Sequence, residues 1–544
     1  MSSTAFLPTA VAIGVVGLSV VYLVFAKAGT EDEEPTLLKL PLIGDLHKSP
    51  ITKPLLNWDA WARDNGAVVG TKLMGIVPIV ILNTSNAATE LFSRRSQWYS
   101  NRPPSVSMDM ITGAEPGQCR FTLMHDYDAH LKLHHRLLTP SLGPVSAPRY
   151  MPLMELEANQ LLRDLIEVLQ GSAKEGYTIT SSAIYPLLER TQSSIILALH
   201  YGMRIANFSD PTLHKVINVQ TKVTHLAANP QLPDMIQPLR YLPAFLSPWQ
   251  RSADKLYAEQ VKLYTHLLNH GKNSAGWNAT KQALRTAEKH APSGVPDLEL
   301  AFTLATSIQG GMETTPRQIQ WLFVAALENR SFLRRAHEVL DAVVGRDRLP
   351  KFSDREQLGY IDAVVHEMLR WRPISPGSIP RRADKDDELD GVKIGKGAVI
   401  IANAWGIGRD RAVFDPALGD PQEFHPERWL QQDDASGEAK KSGIRNELPL
   451  PVFGQGRRMC LGKRVAIDGT FMQIANLLWA FDVQPGEQKV DAWDMSVTGF
   501  MTIPKEFSFK LVPRGPWVAE VINQSWQAAD KDLANVMGTS TVAE

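Results

Sequence analysis

The chain has 544 residues, a hydrophobic content of 44%, a charged content of 21% and a formal net charge of −1. These values describe a globular protein able to bury a large core, and they leave no electrostatic argument for a nucleic-acid or anionic-membrane ligand. Two cysteines give no disulfide framework, which fits a reducing compartment.

The first element is apolar. Ala5 to Ala26 carry no charged residue and are rich in Val, Ile, Leu and Ala, enough at about 1.5 Å per residue to cross a bilayer core. The segment lacks a basic leader and a small-residue cleavage site, so residues 1–27 read as a membrane anchor and not as a removed signal peptide. Residues 28–46 form a charged, proline-bearing linker, residues 47–514 one large domain, and residues 515–544 a polar, loosely held tail. Within the domain, Val68–Leu82 reads as a hairpin. From about Ala129 to Arg370 helical periodicity dominates.

Asp297 to about Glu328 reads as one long helix, with Asp297 marking its start. Its middle, Gly310-Gly-Met-Glu-Thr-Thr-Pro316, is locally costly in a helix. Pro316 cannot donate to the Met312 carbonyl, so the backbone opens there into a notch beside Glu313 and Thr314. Glu367 and Arg370 share one face of the helical stretch Tyr360–Trp371. Val392–Ile401 returns to strand–turn–strand.

Phe453-Gly-Gln-Gly-Arg-Arg-Met-Cys-Leu-Gly462 is the most informative segment. A thiolate that ligates an iron macrocycle needs an exposing turn, donors that keep it ionised and room for a flat ring. Gly456 permits a tight loop, and Gly462 has no side chain to hold the next segment off a porphyrin face. Leu461 onward has helical apolar spacing, placing Cys460 at the positive end of a helix dipole. Arg458 suits a haem carboxylate and Phe453 can shield the sulfur.

Phe453, Gly456, Arg458, Cys460 and Gly462 together resemble the haem-thiolate signature of the cytochrome P-450 superfamily, and the chain looks most like fungal microsomal members. The resemblance implies a mainly α fold with small β-sheets (a triangular α-rich prism) behind an N-terminal transmembrane helix. It implies haem b (iron protoporphyrin IX) with Cys460 as the metal ligand. Gly310, Gly311, Glu313 and Thr314 resemble the family's acid–alcohol motif, which makes Thr314 and Glu313 the catalytic pair that delivers protons for oxygen cleavage. Glu367, Arg370 and Arg428 (of Phe424-His-Pro-Glu-Arg-Trp429) correspond to a structural cluster behind the haem loop. Arg458 and Arg381 are the expected propionate contacts. Many relatives add Trp-x-x-x-Arg on an early helix; here Leu131 and His135 fall at those places, leaving His135, Arg136 or Lys132 for the third contact. His130, His134 and His135 have no acidic or cysteine partner at ligand spacing, so they are not read as a metal cluster.

The resemblance also implies a cytosolic catalytic domain on the endoplasmic reticulum membrane, aimed by a hinge at Leu40–Leu46, with the Asn-X-Ser/Thr motifs idle. Family substrate positions map to Met108, Met110, Ile111, Ile308, Met312, Ile374, Ile379, Phe500 and Met501, an apolar set suited to a lipophilic small molecule. No dinucleotide fingerprint is visible, so electrons are expected from an NADPH-dependent reductase, with cytochrome b5 a further partner, docking near Arg457, Lys463 and Arg464. Two rival readings are a haem-thiolate isomerase or dehydratase working without O2, and a non-catalytic haem-binding protein. NADPH-dependent turnover separates both from a monooxygenase.

Overall fold

The structure is a computed structural model that describes residues 66–538, apart from 74–76, 172–175, 230, 236, 292, 433–438, 488 and 499. The expected anchor, linker and hinge lie outside the described residues. Among the described residues no helix is long and apolar enough to cross a membrane.

The body is helical. Helices of twelve residues or more are α1 (Ala129–Leu142), α2 (Ala147–Gly171), α3 (Ser181–Tyr201), α4 (Pro211–Ala228), α5 (Pro248–Asn273), α6 (Ala279–His290), α7 (Asp297–Gly311), α8 (Thr314–Glu328), α9 (Arg330–Val343), α10 (Gly359–Trp371), α11 (Lys463–Ala480) and α12 (Trp517–Ala528). Helix α11 is buried almost all round, from Val465 through Ala480. A helix without a polar face must lie inside the protein, and α11 packs on α2, α9 and α10. That fixes the loop preceding it, which holds Cys460, deep in the molecule.

The expected hairpin is present as β1 (Val68–Leu73) and β2 (Val77–Leu82), paired antiparallel with Val68 opposite Leu82. Val392–Ile401 is also extended, but its two strands part company. Val392–Ile394 pairs with Asp387–Leu389, whereas the later run joins the large sheet, order β1-β2-β4-β3, with β3 at Arg381–Arg382 and β4 at Val399–Ala402. The β2–β4 pairing is parallel, so the sheet spans chain segments some three hundred residues apart, and it carries Arg381.

The long helix expected from Asp297 is two helices. It begins at Asp297 as read, with Asp297 and Glu299 in its first turn, where acidic groups favour the dipole. It stops at Gly311 and resumes at Thr314. Proline at 316 removes the donor for the Met312 carbonyl, and Gly310 and Gly311 lower the cost of the interruption.

The C-terminal tail corrects the sequence reading. Among the described residues the segment after 515 is not loosely held: α12 docks on α2, burying Val518 and Ile522 completely and Val521 nearly so. Trp517 meets Trp479 edge-on at 4.8 Å between centroids, and Gly538 accepts a hydrogen bond from the Trp277 N–H. The apolar positions 518, 521 and 522 form a stripe at helical spacing inside a polar composition. Ile522→Ala is expected to cost about 2–5 kcal/mol, seen as a lower urea midpoint by far-UV circular dichroism. An unchanged midpoint would return the segment to the status of a tail.

Candidate active site

Behind the Cys460 loop, Glu367 of α10 is fully buried and takes five hydrogen bonds. Arg370 Nε and Nη2 donate at 2.7 Å each, a bidentate pair, and Arg428 Nε donates at 3.1 Å. The His425 N–H (2.7 Å) and Trp429 Nε1 (2.9 Å) complete the set. Burial alone would raise the carboxyl's pKa, but Arg370, Arg428 and the His425 N–H hold it below its ordinary value. The guanidiniums are satisfied in turn, Arg370 by the Gly408, Pro421 and Glu423 carbonyls and Arg428 by those of Gly419 and Asp420. The group therefore ties α10 to the 408–429 segment.

The loop that follows has little conformational choice. Gly456 has φ +59°, and a β-carbon there would collide with the Phe92 carbonyl; only glycine fits. The Cys460 N–H donates to the Phe453 carbonyl at 2.8 Å, and α11 starts three residues after the cysteine. Cys460 lies deep, yet its side chain has a free face because that face opens on an internal cavity of about 320 Å3. Burial raises the thiol's pKa, opposed by the Gly462 N–H and Lys463. A cation in the cavity on that free face would favour the thiolate.

The cavity is lined by three of the four residues that accompany Cys460 in the signature, Phe453, Arg458 and Gly462, and by α7 and α8 through Thr306, Gly310, Gly311, Thr314 and Thr315. Gly311 packs closely on α3: a β-carbon there would stand 2.7 Å from Ile196 Cδ1, the movable end of that side chain. Gly310 is open, with nothing within 4 Å of such an atom. The Thr314 hydroxyl donates to the Gly310 carbonyl at 2.8 Å. Glu313 does not line the cavity. It is buried against Arg317, at 3.6 Å, and Thr224, and burial raises its pKa over the opposing effect of Arg317.

Three guanidiniums line the cavity, Arg102 and Arg381 buried and Arg458 half-buried. Arg381 and Arg458 were expected; Arg102 was not. Each donates to backbone carbonyls, among them Ile379 and Pro380 from Arg102, Gln455 from Arg381 and Ser100 from Arg458. Among the described residues none has a carboxylate within ion-pair distance. Burial lowers all three pKa values, to about 9 for Arg381 and about 10 for Arg458, with mutual repulsion adding for Arg102 and Arg381. Buried, unpaired cations are costly, so this cradle calls for an anion. A thiol and three guanidiniums around one apolar cavity fit a haem carrying two carboxylates.

His135 also lines the cavity, but burial, Arg458 and His134 lower its pKa to about 4, so it is neutral there at pH 7. Arg136 and Lys132 are exposed and do not line it. Arg102 supplies the cation the early helix lacks. Its one sequence signal is its place before Pro103-Pro104, which restricts the backbone to an extended arm.

The expected substrate residues divide. Ile374, Ile379 and Phe500 line the cavity. Met108, Ile111, Ile308, Met312 and Met501 are buried in packed core instead, and Met110 packs against that core. The pocket is therefore not methionine-rich. It adds polar atoms in their place: His200 Nε2, Ser375 Oγ and Ser378 Oγ have no partner among the described residues. Ser378 has φ +52°, a strained conformation for a non-glycine residue.

Removing one member of the buried cluster is expected to be severe. Glu367→Ala strands two guanidiniums and should cost about 3–5 kcal/mol, read as loss of the cooperative urea transition or a large fall in its midpoint. A midpoint within error of the wild type would show that the cluster carries no structural load.

The cytochrome P-450 family model matches residues 35–511. Among curated proteins, the chain is 29% identical over 98% of its length to cytochrome P-450 monooxygenase aneD of Aspergillus aculeatus, covering 99% of that protein. It is 30% identical over 92% of its length to the monooxygenase FrzL of a Cladobotryum species, covering 91% of it. Among solved structures, a zebrafish cytochrome P-450 with progesterone superposes with a TM-score of 0.68 at 23% identity, over 85% of this chain and 99% of that one.

Proposed function

The chain belongs to the cytochrome P-450 family of monooxygenases, and from that membership we propose that it inserts one oxygen atom from O2 into a lipophilic small molecule, by hydroxylation, epoxidation or a related oxidation, in fungal secondary metabolism. The observation that supports this reading is that Cys460, Thr314, Arg102, Arg381 and Arg458 all line one cavity.

The residues fit haem b. Cys460 would ligate its iron, and the three arginines would hold its propionates with His135 as a neutral donor. When bound, haem supplies the activation of dioxygen, which an axial cysteine thiolate promotes. The chain's own groups do the rest. Thr314, whose hydroxyl is fixed by the Gly310 carbonyl, holds a proton at Oγ1 on the cavity wall. Glu313 acts behind it as a positioning and relay group, its raised pKa keeping a proton available to higher pH than an ordinary carboxyl. Gly310, with no side chain, leaves space in the cavity next to Thr314. Leu123, Ile196, Ile374, Ile379 and Phe500 exclude water from the substrate, while His200, Ser375 and Ser378 meet its polar groups. The substrate is thus mainly apolar with a few hydrogen-bonding atoms.

Residues 5–26 anchor the protein in the endoplasmic reticulum membrane, and an NADPH-dependent reductase, with cytochrome b5 as a further partner, supplies electrons. Arg457 and Arg464 are exposed on the Cys460 side of the molecule, which supports docking there, although Arg464 also pairs with Asp468 at 2.6 Å.

Three measurements test this reading. Cys460→Ser should abolish the red-shifted Soret band of the dithionite-reduced, carbon monoxide-bound protein; a wild type lacking that band would overturn thiolate ligation. Thr314→Ala should retain haem while product formed per NADPH falls about tenfold or more, and fully coupled turnover by that variant would remove Thr314 from the proton path. Arg102→Leu should speed haem transfer to apomyoglobin as much as Arg381→Leu does. Haem retention equal to the wild type would mean that Arg102 does not contact the cofactor.

A further inference from the structure

Outside the cavity, His125, His130, His134 and Glu299 converge so that one ligand atom from each lies within 4.8 Å of the others. None of the four lines the cavity. His130 and His134 stand one turn apart on α1, Glu299 is in the first turn of α7, and His125 lies in the loop before α1. The three ring centroids are 4.6–4.9 Å apart. His130 Nε2 and His134 Nε2 both lie 2.8 Å from the same oxygen, Glu299 Oε1. The sequence pointed to His135 in place of His125 and found no acidic partner; the fold corrects both points.

A plain hydrogen-bond network accounts for only part of this arrangement. His125 is 5% exposed and packs against both other imidazoles, yet its Nε2 has no partner among the described residues. A buried polar atom left unpaired is costly. The His134 Nδ1 lies 3.0 Å from Thr122 Oγ1, an outer contact that fixes the ring and turns Nε2 to the centre, as at metal sites. The His130 side chain is 44% exposed and gives an ion a way in. Arg120 stands 3.6 Å from the other Glu299 oxygen, Oε2, leaving Oε1 for the centre.

We propose that His125, His130, His134 and Glu299 form a zinc site. Three imidazoles and one carboxylate suit tetrahedral Zn2+. Ligand bonds of about 2.0–2.2 Å require the four atoms to close from their present spacing by small side-chain rotations. The ion satisfies His125 Nε2 and takes the place of the two contacts to Glu299 Oε1 and of the 3.2 Å contact between His134 Nε2 and Thr303 Oγ1, whose hydroxyl keeps the Glu299 carbonyl as its acceptor, with His134 as its Nδ1–H tautomer donating to Thr122. It joins the 120–128 loop, α1 and α7 into one unit. The His125 carbonyl accepts a hydrogen bond from Arg458 Nη2, so the same loop also steadies the haem-facing arginine.

The test uses full-length, tag-free holoprotein equilibrated with buffered zinc and washed, with metal counted by mass spectrometry. About one tightly held zinc per chain is expected beside the iron. His130→Ala removes the exposed ligand, and Glu299→Gln removes the carboxylate. Each is expected to weaken zinc binding at least about tenfold, the scale on which even outer-shell partners act, with the carbon monoxide spectrum unchanged. Zinc K-edge X-ray absorption on the wild type, which needs no variant, should show imidazole back-scattering at about 2.0 Å. No retained zinc, binding that both folded variants keep, or a spectrum without imidazole scattering would overturn the assignment.

Discussion

The Glu367 carboxylate has five donors, and the position of the cavity wall follows from them. Its two guanidinium partners spend their remaining N–H groups on carbonyls of the 408–423 segment, so α10, that segment and Trp429 cannot move independently. A buried ion pair is weak evidence for stability when its lone pairs are unmet. Here the carboxylate's are met, and the residual cost of desolvation is set against positional certainty. Leu369, inside the pair, and Ile374, just past it, line the cavity, so a group that does not itself line the cavity holds two of its lining residues in place.

The opposite electrostatic condition holds at the cavity wall. Arg102 and Arg381 are buried nearly as deeply as the structural arginines and Arg458 is half-buried, yet all three lack carboxylates among the described residues, and burial lowers the pKa of each. Backbone carbonyls aim the guanidiniums without neutralising them. One cluster is complete within the chain and the other is completed by a ligand. Preorganised cations of this kind require little rearrangement when an anion arrives.

Much of this was legible in the sequence because it depends on local rules. Asp297 starts its helix, Val68–Leu82 forms its hairpin, and Gly456 adopts the positive φ that a tight loop before Cys460 demands. What the sequence hid are facts about faces and distant partners. The family resemblance marks Met108, Ile308 and Met312 as substrate-facing, but whether an apolar side chain faces core or cavity is a matter of which neighbour its helix has. Glu299 lies 169 residues from His130, so no ligand spacing could link them. On α1, positions 130 and 134 share a face while 135 is turned by about 100°, which is why His135 faces the cavity and His125 takes its place in the cluster. The C-terminal helix was missed because three apolar residues decide its docking within a polar stretch.

Helix α7 connects the two regions. Glu299 opens it, and Thr314 follows its end, about 22 Å on at 1.5 Å per residue. Between them runs a polar chain: Glu299 Oε1 meets His134 Nε2 at 2.8 Å, His134 Nδ1 meets Thr122 Oγ1 at 3.0 Å, and Thr306 Oγ1 donates to Thr122 Oγ1 at 3.3 Å. Both threonines line the cavity. The Thr306 hydroxyl also reaches the Phe302 carbonyl at 3.3 Å and can turn between the two acceptors, whereas Thr122 Oγ1 donates to His134 Nδ1 or accepts from it according to which ring nitrogen carries the proton. The tautomer of a buried histidine on α1 therefore decides whether the Thr122 hydroxyl turns toward that ring or away from it, and at that one group the polarity of the cavity wall is coupled to whatever holds His134 Nε2.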